Sequence, residues 1–266
     1  MLTRQEIKAN AKAAMKHQWG TSIGTLVLLV VAIFVISFVS GFFIGFFSRK
    51  FLIISLLSSF AGLALAIFIN IPLMVGVSGV FARIYRKEHA HAGEIFLGFS
   101  GHYLRKVGGM LWMMLFIWLW SLLVIAPLIL LIPAIKTGMY WVAWLYLLSP
   151  LLAVPAIIKG LAYSMVPYIL ADCPDVKARE ATKLSMRMTK GHKGAIFVMA
   201  LSFIGWYLLS GLTFGILALI FVNPYAYTTS AGYYNELKRN AIESGTISAA
   251  EFGMETAIVY EEAVVN

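Results

Sequence analysis

The sequence predicts an all-α fold: a polytopic membrane bundle of six transmembrane helices with three cytoplasmic amphipathic helices. Three observations predict it. The chain is 61% hydrophobic and 12% charged, against about 45–50% and about 25% in soluble domains. Six hydrophobic stretches fill it, each at least as long as the roughly 20 residues a helix needs to cross a bilayer. The second stretch of each consecutive pair carries a proline (Pro72, Pro155 or Pro224), and a short basic segment precedes each pair. The pattern reads as a threefold internal repeat of a surface helix followed by a membrane hairpin, with units of about 1–88, 89–172 and 173–239. Together they form a single membrane domain, followed by a tail at 240–266.

The three surface segments are 4–18, 94–106 and 174–190. Thr3 and Glu6 form a T-x-x-E capping box, which starts the first helix at Arg4. Arg4, Lys8, Lys12 and Lys16 recur every four residues as a basic stripe, with Ile7, Ala11, Ala14 and Met15 to one side. An apolar face made mostly of alanine either binds lipid weakly or packs beneath the bundle. Span one, at 22–47, is too long for a signal-peptide core of about 7–15 residues and reads as a retained helix.

Span two covers 51–80 and span three 107–132. Span four, at 141–171, would be about 45 Å of straight helix, too long for an untilted crossing. Pro150, Pro155 and Pro167 predict kinks or a break there. In the third surface segment Pro174 suits a first helical turn, Asp175 opposes the dipole and Gly191 supplies a stop. Ala178, Ala181, Leu184, Ser185 and Met188 share one arc of that helix; Arg179, Lys183, Arg187 and Lys190 share the other. The stretch 195–234 holds two spans, with a tight turn at Gly211, Thr213 and Gly215. Beyond Arg239 the chain has five glutamates and no Lys or Arg. This acidic tail is expected to be mobile, with one short helix capped by Ser248 and Glu251.

Seventeen Lys and Arg residues fall on one side of these spans and three on the other, with Lys159 inside span four. The positive-inside rule then places both termini in the cytoplasm. The entrances to spans one, three and five each pair a histidine (His17, His102, His192) with a nearby glycine. The exits of spans two and six run from Pro72 and Pro224 to basic residues at similar spacing.

The net charge of +9 collects at span ends, where it orients the protein and meets anionic lipid rather than nucleic acid. One cysteine, Cys173, excludes an intrachain disulfide and a multi-cysteine metal site. His89 and His91 offer too few ligands for a metal. No phosphate-cradling glycine loop and no serine elbow occur, so neither an enzyme nor a cofactor is expected. All acidic residues lie outside the spans, which excludes an intramembrane carboxylate relay.

Lys159 is the one charge within a span, and a central lysine costs about 2.5–3.5 kcal/mol on insertion scales. It either lines a polar cavity with Asn70, Asn223 and Tyr163 or snorkels from a tilted or broken helix. The two asparagines either line that cavity or satisfy backbone groups that the neighbouring prolines release. The basic arc of Arg179, Lys183, Arg187 and Lys190 is either a lipid-headgroup surface or a solvated helix face.

The run Ile157-Ile158-Lys159-Gly160-Leu161-Ala162-Tyr163-Ser164-Met165-Val166-Pro167-Tyr168-Ile169-Leu170-Ala171-Asp172 resembles the DUF (domain of unknown function) 975 family. So do Met188-Thr189-Lys190-Gly191-His192-Lys193, Ser202-Phe203-Ile204-Gly205-Trp206-Tyr207-Leu208, Pro224-Tyr225, Tyr233-Tyr234-Asn235-Glu236-Leu237, and the lysine-rich helix ending in Trp19-Gly20. The resemblance runs to about Leu237. It implies a bacterial integral protein of the cell membrane without an established activity. The segment 178–191 is also distantly similar to the membrane domain of some glycerophosphodiester phosphodiesterases. The stretch 134–152 and the acidic tail fall outside the resemblance. The expected function is non-enzymatic: binding or moving anionic lipids or amphiphilic small molecules. The alternative is an interaction or assembly module for another membrane complex. Transport requires a polar cavity joining Lys159 with Asn70 or Asn223; a scaffold packs those positions dry.

Overall fold

In the computed structural model, which describes residues 2–47, 52–136 and 149–254, every regular element is helical. The first helix, α1 (Arg4–Met15), begins at the expected capping box: the Thr3 hydroxyl accepts from the Glu6 N–H, and the Thr3 N–H donates to the Glu6 carboxylate at 2.7 Å. Three long helices follow: α2 (Trp19–Phe47), α3 (Leu52–Tyr85) and α4 (Tyr103–Lys136). The second half contains α5 (Ser149–Tyr163), α6 (Val166–Asp172), α7 (Ala178–Met188), α8 (Lys193–Leu201), α9 (Ile204–Leu212) and α10 (Asn223–Glu243).

Five stretches among the described residues are long and apolar enough to cross a membrane: Trp19–Phe42, Leu56–Tyr85, Tyr103–Pro127, Pro150–Asp172 and Lys193–Leu212. The stretch expected to form the sixth differs in kind. After the turn at Thr213–Gly215, a π-helical turn (Ala218–Val222) runs into α10. Pro224 has no N–H to donate back along the helix, and the π turn lies where that bond is missing. α10 buries Thr228, Thr229, Tyr233, Tyr234 and Glu236 against its neighbours. Protein, rather than lipid, covers this face, so its polar side chains find partners there.

Packing is concentrated at one end. α3 has 34 residues, about 51 Å of helix against a hydrocarbon core of about 30 Å. Its last turns bury Val75, Val77, Val80, Phe81 and Ile84, while Leu56, Leu57, Phe60 and Leu63 at the other end are exposed. Likewise α4 buries Val107 and Met110 and exposes Leu115, Trp118, Leu119 and Ile129. The result is a packed head at the basic end, with hairpins extending from it whose apolar surfaces require lipid as their solvent.

Two interruptions in the spans are mended by side chains from elsewhere. Pro72 leaves the Phe68 carbonyl without its helical donor; the Tyr103 hydroxyl donates to that carbonyl at 2.8 Å. Span four breaks at Ser164–Met165, between α5 and α6, ahead of Pro167. There Ser185 of α7 donates to the Ala162 carbonyl at 2.7 Å and accepts from the Met165 N–H at 3.3 Å. One hydroxyl thus closes both ends of the gap.

Two of the three surface segments depart from expectation. Segment 94–106 is not an amphipathic α-helix: a 3₁₀ helix (Ala92–Gly98) lies directly on α3 and α4 starts only at Tyr103. A Cβ on Gly76 would strike the Ile95 carbonyl, and one on Gly98 the Pro72 carbonyl, so this contact is backbone on backbone. The third helix begins at Ala178 rather than Pro174, because Arg105 draws the Cys173 and Val176 carbonyls into a turn at 3.0 and 2.7 Å. The tail is docked as far as Met254: Ile247 and Phe252 are buried, and the Ser248–Glu251 cap opens a 3₁₀ turn (Ala250–Phe252). The 48–50 connection, the start of span four at 141–148 and the tail from 255 lie outside the described residues.

Replacing Ser185 with Ala leaves the buried Met165 N–H unpaired and the Ala162 carbonyl with only the longer bond from Thr189 at 3.4 Å, a cost of about 1–3 kcal/mol. Thermal unfolding in detergent should show a Tm lowered by several degrees. Ser164→Ala removes only a local bond to Leu161 and should shift the Tm much less. Equal effects would contradict this role for Ser185.

Candidate functional site

The densest polar cluster joins the ends of α3, α6 and α10. One oxygen of Asp172, at the end of α6, accepts from Arg86 at 3.0 Å. The other accepts from Lys238 at 2.8 Å and from the Tyr234 hydroxyl at 2.9 Å, both on α10. Arg86 also donates to Glu88 at 2.6 Å. Burial works against the Arg86 charge, but Glu88 and Asp172 outweigh it and raise its pKa. The Cys173 sulfur lies 3.5 Å from Lys238. Burial pushes its thiol up despite that lysine, which disfavours the thiolate. The Tyr168 and Tyr234 rings stack at 5.4 Å beneath the carboxylate. Arg105, at the start of α4, caps the last turn of α6 by donating to the Leu170 carbonyl at 2.8 Å. Every charge here has a partner of the opposite sign or a carbonyl, which is the chemistry of a lock rather than of a reactive centre.

A second polar contact pins α1. Lys8 donates to Ser202 at 2.7 Å in the break between α8 and α9 and lies 4.5 Å from the Phe203 ring. Desolvation lowers the pKa of Lys8. The Leu2 N–H reaches Glu236 at 3.2 Å, tying the start of α1 to α10. Ile7, Ala11 and Met15 are buried, so the apolar stripe of this helix packs beneath the bundle.

Three of the four residues expected to share a polar cavity have separate local contacts. Lys159 is half-buried, with Nζ 5.2 Å from the Trp120 ring of α4. Asn223 accepts from the Tyr207 hydroxyl at 2.9 Å. The Oδ1 atom of Asn70 is buried without a hydrogen-bond partner; the carbonyl freed by Pro72 is met by Tyr103 instead. Tyr163 is buried, its ring 6.4 Å from Phe116. None of the four lines the clefts described below.

On α7 and the turn that follows it the expected division holds: Ala181, Leu184, Ser185 and Met188 are buried, and Arg179, Lys183, Arg187 and, in the turn, Lys190 are exposed. Two of the four cations are already engaged. Arg179 lies over the Trp112 ring at 4.6 Å. Arg187 pairs with Glu251 and donates to the Thr246 carbonyl, and it holds the Glu251 carboxyl below its ordinary range. Lys183 and Lys190 make no side-chain contact among the described residues.

Three clefts open on this end. One of about 170 Å³ lies between α3 and the 3₁₀ helix, bordered by Arg83, Glu94 and Lys106. Arg83 and Glu94 pair at 2.7 Å, and Lys106 caps the Leu97 and Ser100 carbonyls, so its charges are spent internally. The second, between α5 and α8, is apolar with Lys193 at its border. The third lies along α1, bordered by Lys12, Lys16 and Trp19. A family model described as "Protein of unknown function (DUF975)" matches residues 1–241.

The chain belongs to the DUF975 family.

Neither a curated protein nor a solved structure matches it. The matched region of this DUF975 chain contains the whole Asp172 cluster and reaches nearly to the end of α10, whereas Glu251 lies beyond it. Sequence reasoning missed the cluster. Its signal was nonetheless present: Arg86 and Lys238 stand at matching distances after Pro72 and Pro224, and Asp172 is the acid at the exit of span four.

Removing the Arg187–Glu251 pair should release 244–254 without disturbing the head. In Arg187→Ala, a glutamate-specific protease should cut at Glu243 and Glu251 several-fold faster than in the parent chain, with the Tm nearly unchanged. An unchanged cleavage rate would show that Ile247 and Phe252 hold the segment unaided.

Proposed function

We propose that this DUF975 protein is a non-enzymatic, multi-pass protein of the bacterial cell membrane whose basic end binds anionic lipid headgroups. The observation that carries this reading is the division of α7. Its apolar arc is consumed by packing, so Lys183 and Lys190 stand on a rigid support beside the start of span five. Fixed cations near a bilayer surface attract anionic lipid by about 1 kcal/mol each. Lys12, Lys16 and Trp19, bordering the cleft along α1, supply the same combination at the entrance to span one.

Six spans in three hairpin units, with both termini cytoplasmic, complete the proposal. The π turn and α10 form the sixth crossing. The meeting of the α3, α6 and α10 exits at Asp172 supports the threefold arrangement, because equivalent ends converge. Transport draws less support, since the described contacts of Lys159 (the Trp120 ring) and Asn223 (the Tyr207 hydroxyl) do not join them. A second reading, an assembly module for another membrane complex, is favoured by the exposed apolar rows of α2 and α4, such as Phe34 with Phe38 and Trp118 with Leu119.

Lipid analysis of the purified chain tests the first reading. The protein should retain anionic phospholipid above its share of the membrane, and Lys183→Ala with Lys190→Ala should reduce that enrichment about tenfold or more, at roughly 1 kcal/mol per lysine. An unchanged lipid profile with a stoichiometric co-purifying membrane protein would favour the assembly module instead. For orientation, Lys183→Cys in a Cys173→Ser background should resist an impermeant maleimide added to intact cells and react after lysis. Labelling from outside would reverse the topology.

A further inference from the structure

The cleft between α5 and α8 sets apolar walls from two membrane-crossing stretches beside a lysine at a span boundary. It is a groove of about 350 Å³, walled by Val154, Ile157, Ile158 and Leu161 on one side and Gly194 and Phe197 on the other. This volume falls within the range of small-molecule sites. Lys193 is its one charged lining residue and meets the groove through its alkyl stem, since the lining surface is apolar throughout. Gly194 borders open space, since a Cβ there would meet nothing within 4 Å. The walls belong to the spans Pro150–Asp172 and Lys193–Leu212, and Lys193 is the first residue of the second. From Leu161 to Val154 the helix rises about 10 Å, roughly a third of the hydrocarbon thickness. The groove thus leads from a cation at a span boundary into the acyl region.

We infer that this groove holds an acyl chain of one anionic phospholipid, with its phosphate against Lys193. The inference rests on the lipid-binding reading above and gives that reading a site. Charge complementarity selects the occupant. Apolar walls within the spans match an acyl chain, and a lysine at the boundary matches a phosphate-bearing headgroup. Lys190, exposed three residues earlier, adds a second cation on the approach. A purely apolar helix of a partner would fill the walls and leave Lys193 unmatched.

The test uses the full chain in nanodiscs containing phosphatidylglycerol or phosphatidylcholine with a photoactivatable diazirine in the acyl chain, followed by peptide mapping. The phosphatidylglycerol probe should label 150–163 and 193–201 several-fold more heavily than the exposed face of α2. Gly194→Leu adds a side chain at the groove border, where a Cβ meets open space, and replaces glycine with a better helix former. It should abolish this excess with the Tm unchanged, while the overall preference for anionic lipid persists. Gly194→Ala, a smaller filling, should reduce the excess partly. Lys193→Ala should lower the phosphatidylglycerol-to-phosphatidylcholine labelling ratio in the groove about fivefold, the effect of roughly one lysine at an anionic surface. Even labelling of all exposed helices, with an anionic preference retained elsewhere, would overturn the groove and leave the general reading standing. Equal retention of both lipids everywhere would overturn both.

Discussion

A single carboxylate sets how the helices of this protein meet. Asp172 lies at the end of α6 and accepts from Arg86 after α3 and from Lys238 and Tyr234 on α10. A charge largely withdrawn from water is tolerated only with partners in good geometry. Here all three donors come from other helices, so the carboxylate is satisfied in one arrangement of the three exits. The π turn before α10 and the turn after α6 are compatible with that arrangement because neither has to bear the load alone. Arg105 completes it by holding the carbonyls at the end of α6 and starting α4 from the same point.

The apolar stretches that cross the membrane are imperfect helices, and the head repairs them. Each interruption releases backbone groups that neither lipid nor water at that depth will satisfy. Tyr103 serves Pro72, and Ser185 serves the break before Pro167. Lys8 reaches Ser202, at the break in span five. These donors come from the surface segments, which gives those segments a structural role besides any contact with lipid. It also explains why their inner faces carry serine and small residues: polar contacts and close packing are required, and a continuous greasy stripe for lipid is not.

Hydropathy made the long spans legible, because a roughly 20-residue apolar run has few other uses. Local chemistry made the Thr3 cap, the turn at Gly211 to Gly215 and the Ser248–Glu251 cap legible, since each depends on neighbours within a few residues. What failed depends on partners distant in sequence. The 3₁₀ segment at Ala92–Gly98 is set by backbone contact with α3, which no periodicity within 94–106 encodes. The late start of α7 follows from Arg105, some seventy residues away. Asp172 was visible only as a boundary marker until its three donors were assembled around it. The basic arc of α7 was correctly read as a face, but the fates of its members differ: Arg187 is spent on Glu251, whereas Lys183 and Lys190 stay available.

If Asp172 and Lys238 hold the head together, their energies are coupled, and a double-mutant cycle measures that directly. Unfolding free energies in detergent would be compared for the parent, Asp172→Asn, Lys238→Met and the double variant. Each single change should destabilise, because it strands the other member of the pair, and the double should cost less than the sum by about 1 kcal/mol or more. Strict additivity, with a coupling indistinguishable from zero, would contradict the lock.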